Sequence, residues 1–471
     1  MNELTINLKP KSKIPLYEQI YDYIKSDIQK KRIPSGEKLP STRALSKHLE
    51  VSRSTVELAY EQLLSEGYIE AEPYRGYFVA HIDNLYQLNT VKNVERKAPE
   101  KTREQCRYDF TPNGVDLKSF PYNTWRKLSK DILLDDKVEL FRLGDSQGEY
   151  GLRAAICAYL HQARGVNCLP EQILVGAGSD YMMMLLGTIL ENGWRIAVEN
   201  PTYKRAYRLF ENLSYDVLAV DMDRSGMDVG KLRESGADVA FVMPSHQYPL
   251  GIVMPIRRRL ELLNWANESE TRFIIEDDYD SEFRYKGKPI PALKGYDANE
   301  KVVYIGTFSK SIAPAIRMSY MVLPKPLMER FETRSKFIHS TVSKVDQIIL
   351  QRFVEEGYYE RHLNKTRALY KSRHDVLLNS LKVFQDWGTV SGENAGVHLL
   401  LHLDNGMTEE ELIEAAENAD VRVYGLSEYY IAKREKKHIP TVLLGYANMS
   451  EEKIEKAVEI LWNVWCAGKE R

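Results

Sequence analysis

Apolar residues recur every four positions near the start of the chain. Leu16, Ile20, Ile24 and Ile28 would share, and bury, one face of a helix. Pro34-Ser35-Gly36 ends that period. Ser41, after Pro40, is placed to cap a second helix whose Leu45 and Leu49 lie one turn apart. Glu50-Val51-Ser52 leads to a third helix with Val56, Tyr60, Leu63 and Leu64 as its inward stripe. Its cap is either Ser52 or the box Ser54-Thr55-Val56-Glu57. The period then falls to two: Tyr68-Ile69-Glu70-Ala71 and Tyr77-Phe78-Val79 alternate as strands around a turn at Pro73 to Gly76.

From Asp83 to Arg107 no apolar period persists, and residues 83–107 read as a polar linker. Beyond Tyr108, helical stretches alternate with short β-rich runs at Gln172–Val175, Arg195–Val198, Val239–Val242, Arg272–Ile275, Val302–Ile305 and Met318–Val322. That alternation predicts an α/β domain over residues 108–471, with a mostly parallel sheet covered by helices on both faces.

Composition narrows the class. Of 471 residues, 43% are hydrophobic and 28% charged, enough for packed cores in two or three domains. Cys106, Cys157, Cys168 and Cys466 have no metal-ligand spacing, so reduced thiols and no metal site are expected. Met1 to Pro15 is polar and unlike a signal peptide, and no apolar run reaches the roughly 20 residues of a membrane span. Tyr181 to Leu190 reads as a buried helix. A cytoplasmic protein with no membrane partner is expected.

The net charge of −2 gives no support for nucleic acid, and residues 1–82 hold 12 Lys/Arg against 11 Asp/Glu. Position is more informative. Helix, helix, tight turn, helix and hairpin over residues 14–82 is the layout of a winged helix-turn-helix. Its third helix would enter the major groove with Arg53, Ser54 and Thr55 foremost. Arg43 and Lys47, on the helix headed by Ser41, would flank it on phosphates, with Arg75 and Gly76 at the wing tip. A small helical interaction domain is the alternative.

In the large domain, polar motifs follow the β-runs, where ligands bind in such folds. Gly176-Ala177-Gly178-Ser179 opens a helix and is either a phosphate seat or a structural turn. Tyr203 either stacks on a flat ring or belongs to the core, and Arg205 either meets an anion or lies on the surface. Ile274-Ile275-Glu276-Asp277-Asp278-Tyr279 carries an apolar strand into three carboxylates. One of them suits a pyridinium nitrogen; otherwise the run is an acidic loop. Tyr304-Ile305-Gly306-Thr307-Phe308-Ser309-Lys310 ends a strand on a lysine that burial would keep as a free amine, while Thr307, Ser309 and Arg317 can hold phosphate.

The runs Gly36-x-Lys38-Leu39-Pro40-Ser41-Thr42-Arg43-x-Leu45 and Val51-Ser52-Arg53-x-Thr55-Val56 resemble the GntR-type winged helix. Residues 108–467 resemble fold-type I aminotransferases, including a smaller C-terminal α+β part. That likeness implies pyridoxal 5′-phosphate as an aldimine on Lys310. Asp277 would sit on the pyridine nitrogen, Tyr279 on the ring hydroxyl and Tyr203 on the ring face. Gly178, Ser179, Thr307, Ser309 and Arg317 would surround the phosphate. Pro244-Ser245-His246-Gln247 and Glu276-Asp277-Asp278-Tyr279-Asp280-Ser281-Glu282-Phe283 are similar to MocR-type regulators in particular. The resemblance implies double-stranded operator DNA as partner and a head-to-tail, domain-swapped homodimer.

Two departures bear on function. Tyr248 stands where aminotransferases carry the asparagine of Pro-x-x-Gln-Asn-Pro-x-Gly, and Asn448 stands where GabR-like members carry an arginine for a carboxylate. Arg205 and Asn448 are the candidate effector contacts. The expectation is a PdxR-like sensor of pyridoxal phosphate, controlling vitamin B6 or amino-acid metabolism genes, and not an enzyme. A GabR-like amino-acid sensor and a working aminotransferase are the alternatives.

Overall fold

The computed structural model describes residues 6–10, 12–81, 106–134, 138–285, 287, 289–432 and 439–467. The chain divides into two units at Lys101/Thr102. Apart from Cys106 and Arg107, the expected linker 83–107 lies outside the described residues.

In the first unit, α1 (Leu16–Gln29), α2 (Thr42–His48) and α3 (Arg53–Ser65) precede a hairpin of β1 (Ile69–Glu72) and β2 (Gly76–Val79). Ile20, Ile24, Ile28, Leu45, Val56, Tyr60 and Leu63 form its core. Ala59 is also buried and Leu64 only half-buried, so the inward stripe of α3 is rotated slightly from the expected one. Ser41 caps α2 by accepting the Ala44 N–H at 3.1 Å. Of the two cap options for α3, Ser52 is the one used, accepting from Thr55 N–H at 3.2 Å.

The second unit is built on an eight-stranded sheet. In chain order its strands are β3 (Ile173–Gly176), β4 (Arg195–Asn200), β5 (Asp216–Asp223), β6 (Gly226–Met227), β7 (Val239–Val242), β8 (Phe273–Asp278), β9 (Val302–Thr307) and β10 (Ser319–Val322). Across the sheet they lie β3-β10-β9-β8-β7-β4-β5-β6. The pairings β9–β8, β8–β7, β7–β4 and β4–β5 are parallel, while β10 runs antiparallel to both its neighbours. Alternate residues of each strand point to opposite faces. Leu174, Ile196, Val198, Ile275 and Ile305 pack on α5 (Ser179–Ile189) and α6 (Lys204–Asn212). Val175 and Tyr304 pack on α4 (Tyr150–Arg164), and Ala240, Val242 and Ile274 on α7 (Ile256–Asn267), on the other face.

The C-terminal part holds β11 (Gly388–Ser391), β12 (His398–Leu403), β13 (Tyr424–Gly425) and β14 (Thr441–Gly445) in the order β11-β12-β14-β13. It packs against α8 (Tyr358–Ser380) and α9 (Glu451–Trp465). All six expected strands of the large sheet are present. β5 was not expected: it is only partly buried and carries aspartates at both ends, which masks its period. Among the described residues no helix is long and apolar enough to cross a membrane.

Candidate functional site

Three carboxylates end β8, and the pleat sorts them: 276 and 278 share one face and 277 takes the other. Glu276 accepts the backbone N–H groups of Leu293 and Lys294, each at 2.8 Å. Asp278 accepts from Arg164 at 2.9 Å and from the Tyr304 hydroxyl. Asp277 has no hydrogen-bond donor of this kind among the described residues and lines a cavity of about 210 Å³. Burial, reinforced by Asp278 and Asp280, pushes its pKa up to about 7.

Lys310 reaches the same cavity from the loop after β9, and its Nζ donates to Asn113 Oδ1 at 3.1 Å. Burial lowers its pKa to about 8, which makes the neutral, nucleophilic amine accessible near neutral pH. Tyr203 and Tyr279 line the same space. Tyr203 meets Tyr248 edge-on, with ring centroids 6.1 Å apart, and the Tyr279 hydroxyl lies 2.9 Å from His246 Nδ1.

One end of the cavity is built for an anion. Gly178 has φ 91° just before Ser179 opens α5, and a Cβ at that glycine would collide with the Arg317 guanidinium. Arg317 is held by Ala177 O at 3.2 Å and stands 3.6 Å from Asp180. Thr307 is turned inward: its hydroxyl accepts from Ser309 N–H at 3.1 Å and from the Ser319 hydroxyl at 2.8 Å. It therefore sets the loop that presents Ser309. The Ser309 hydroxyl is buried and has no partner among the described residues. An orphaned buried hydroxyl, a guanidinium and a helix N-terminus are a fitting donor set for a phosphate.

In the first unit, Ser41, Arg43, Lys47, Arg53, Ser54 and Arg75 are exposed and Thr55 is half-buried. Arg53 pairs with Glu57 at 2.7 Å, one turn along α3. Arg75 pairs with Glu72 and lies over the Phe78 ring, 5.3 Å from its centroid. Gly76 was expected at the wing tip. It is instead the first residue of β2, already opposite Glu72, and the fully exposed Tyr74 stands at the turn.

Residues 113–461 match the family model for aminotransferase class I and II, and residues 16–79 match that for bacterial regulatory proteins of the gntR family. The uncharacterized HTH-type transcriptional regulator YhdI of Bacillus subtilis is 40% identical over 98% of this chain and 98% of its own length. The probable rhizopine catabolism regulatory protein MocR of Rhizobium meliloti is 30% identical over 96% of this chain and 94% of its own. The chain belongs to the MocR-type, GntR-family transcriptional regulators. Among solved structures, kynurenine aminotransferase of Pyrococcus horikoshii aligns with a TM-score of 0.68 at 26% identity, over 83% of this chain and all of that one.

Within this MocR-type site the two sequence departures differ in place. Tyr248 lines the cavity, and its hydroxyl lies 2.9 Å from that of Tyr429. Asn448 is not among the lining residues: it is exposed, its amide donates to Asp109 O at 3.2 Å, and its side chain abuts the buried Gly114 beside Asn113. Arg205 lines the cavity with its side chain 71% exposed, 3.9 Å from Asp180. Asn113 and Asp180 also line the cavity and were not singled out from the sequence. Asp180 had a signal, as the residue directly after the Gly178-Ser179 turn. Asn113 had none, because its contact with Lys310 spans 197 residues. Among the described residues no group of three or more His, Cys, Asp or Glu could hold a metal ion.

Proposed function

We propose that this MocR-type regulator carries pyridoxal 5′-phosphate on Lys310 and that cofactor occupancy sets its affinity for operator DNA. One observation carries the reading: the amine of Lys310 shares a cavity with Asp277, a carboxylate with no hydrogen-bond donor among the described residues, and with the phosphate-type cradle of Ser179, Ser309 and Arg317. Asp277 would hold the pyridine nitrogen, Tyr279 the ring oxygen and Tyr203 the ring face. When bound, the cofactor supplies an aldehyde to the lysine amine and an electron-withdrawing ring.

A sensing role is favoured over catalysis. Asn448 is exposed and offers no charged fork for a carboxylate, and Arg205 faces Asp180. The effector is then the cofactor itself, and the controlled genes those of vitamin B6 or amino-acid metabolism. A GabR-like response to an amino acid is the second reading, favoured by Arg205, which lines the cavity beside Lys310 and is more than two-thirds exposed. The assembly proposed is a head-to-tail homodimer. Exposed Val138, Phe141, Leu143 and Phe337 offer apolar surface for a second copy.

The attachment is tested by incubating the full chain with pyridoxal phosphate, reducing with borohydride and mapping the modified peptide. The adduct is expected on Lys310, forming faster as pH rises through about 8, where the amine loses its proton. It is expected to be absent from Lys310→Ala. Labelling spread over surface lysines, or undiminished in Lys310→Ala, would overturn the reading.

A further inference from the structure

Behind Tyr279 lies a buried polar pair that the cofactor contacts leave unused. The His246 and Asp280 side chains are 0% and 1% exposed, with His246 Nδ1 2.9 Å from Asp280 Oδ2. The same Nδ1 is 2.9 Å from the Tyr279 hydroxyl. The imidazole is seated closely. Gly396, at φ 80°, leaves room that a Cβ would take from it. The Gly396 carbonyl is in turn held by the hydroxyls of Tyr285 and Tyr446, each at 2.7 Å.

Proton counting gives this geometry a direction. A carboxylate only accepts, so the Asp280 contact places a proton on His246 Nδ1, whichever state the other ring nitrogen adopts. A nitrogen that donates cannot also accept from Tyr279. The phenol oxygen must therefore share the Nδ1–H with Asp280 as a bifurcated acceptor. Burial, and next the charge of Asp280, keep the Tyr279 pKa well above its ordinary value, so the phenol retains its own proton. That proton is turned away from the imidazole, with Asp280 as its nearby acceptor until a ring oxygen enters the cavity.

We propose that His246 and Asp280 act as a positioning pair for Tyr279, fixing its hydroxyl as a hydrogen-bond donor into the cavity, towards the ring oxygen of a bound pyridine cofactor. The proposal rests on the cofactor reading above. It adds that the donor strength of Tyr279 is set by residues that do not line the cavity. Asp277 and Tyr248 are the other titratable neighbours of Tyr279, and Lys310, on which the Asp280 charge also acts, lies in the same cavity; the His398 ring packs on His246, with centroids 5.3 Å apart. None of the four is altered by the test.

The readout is the pH midpoint of the visible absorbance change of full-length protein loaded with pyridoxal phosphate. The ring oxygen shares a proton with the nitrogen supplied by Lys310, so losing a donor to that oxygen makes the pair more basic. His246→Leu is expected to raise the midpoint by about one to two pH units, the size of one hydrogen bond to a charged oxygen. Asp280→Asn also removes a charge that raises the basicity of the Lys310 nitrogen and is expected to raise it less. His246→Asn places an amide N–H where Nδ1–H stood and is expected to restore the wild-type midpoint. His246→Phe, which keeps an aromatic ring in the seat but has no donor, keeps the test readable if His246→Leu does not fold. Unshifted midpoints, or His246→Asn behaving like His246→Leu, would overturn the pair while leaving the cofactor reading intact. Failure of wild type to take up the cofactor would remove both.

Discussion

Burial of Asp277, with no donor among the described residues, raises its pKa from 3.8 to about 7, so its charge opposes folding until a cation arrives. The sign follows from linkage. Below about pH 4 the acid is protonated both folded and unfolded, and no penalty exists. Between pH 4 and 7 the unfolded chain ionises first and stability falls; above 7 the whole penalty, up to about 4 kcal/mol, is present. Asp277→Asn is therefore expected to raise the Tm of the ligand-free protein at pH 8 and to leave it unchanged near pH 4, by calorimetry. An equal effect at both pH values would place the cause elsewhere. Such a residue is legible in sequence because it sits at the end of an apolar strand. His246, Asp280 and Asn113 were not read as site residues, because their roles arise from contacts between distant segments: 34 residues separate the first two, and 197 separate Asn113 from Lys310.

At the scale of the element, the cap of α3 shares atoms with the hydroxyls proposed to meet DNA. Ser52 accepts from Thr55 N–H, and its hydroxyl also lies 2.9 Å from Ser54 Oγ and 2.7 Å from Thr55 Oγ1. The two hydroxyls expected at the DNA are thus arranged by the cap. Ser52→Ala is expected to weaken the first turn by about 1 kcal/mol. Hydrogen exchange at the N-terminus of α3 should quicken, and DNA affinity should fall; an unchanged exchange rate would contradict the account. The three helices and the hairpin were legible because each buries one clean stripe. The wing tip was not, since the turn closes one residue earlier than the glycine suggested and leaves Tyr74 outermost. β5 escaped for a related reason: it lies near the sheet edge, and partial exposure dilutes the alternation that marks a strand.

Across the whole molecule the two units carry different chemistry on one chain: a gntR-type unit at residues 16–79 and an aminotransferase-type domain at 113–461. A bound cofactor can change DNA binding only if it prefers one arrangement of the protein over another. Its effect is then a coupling between sites, typically five- to 150-fold in affinity. The division into two units was visible in the change of period between residues 79 and 108. Asp277 and Lys310 meet because β8 and β9 are parallel and their carboxyl ends lie side by side, and Arg317 joins them because antiparallel β10 begins at that same end. The most direct measurement is the affinity of the full chain for its own upstream DNA at fixed salt, with and without pyridoxal phosphate, in wild type and Lys310→Ala. The account predicts a change of five-fold or more in wild type, and a Lys310→Ala protein that binds DNA but ignores the cofactor. Identical responses of the two proteins would contradict it.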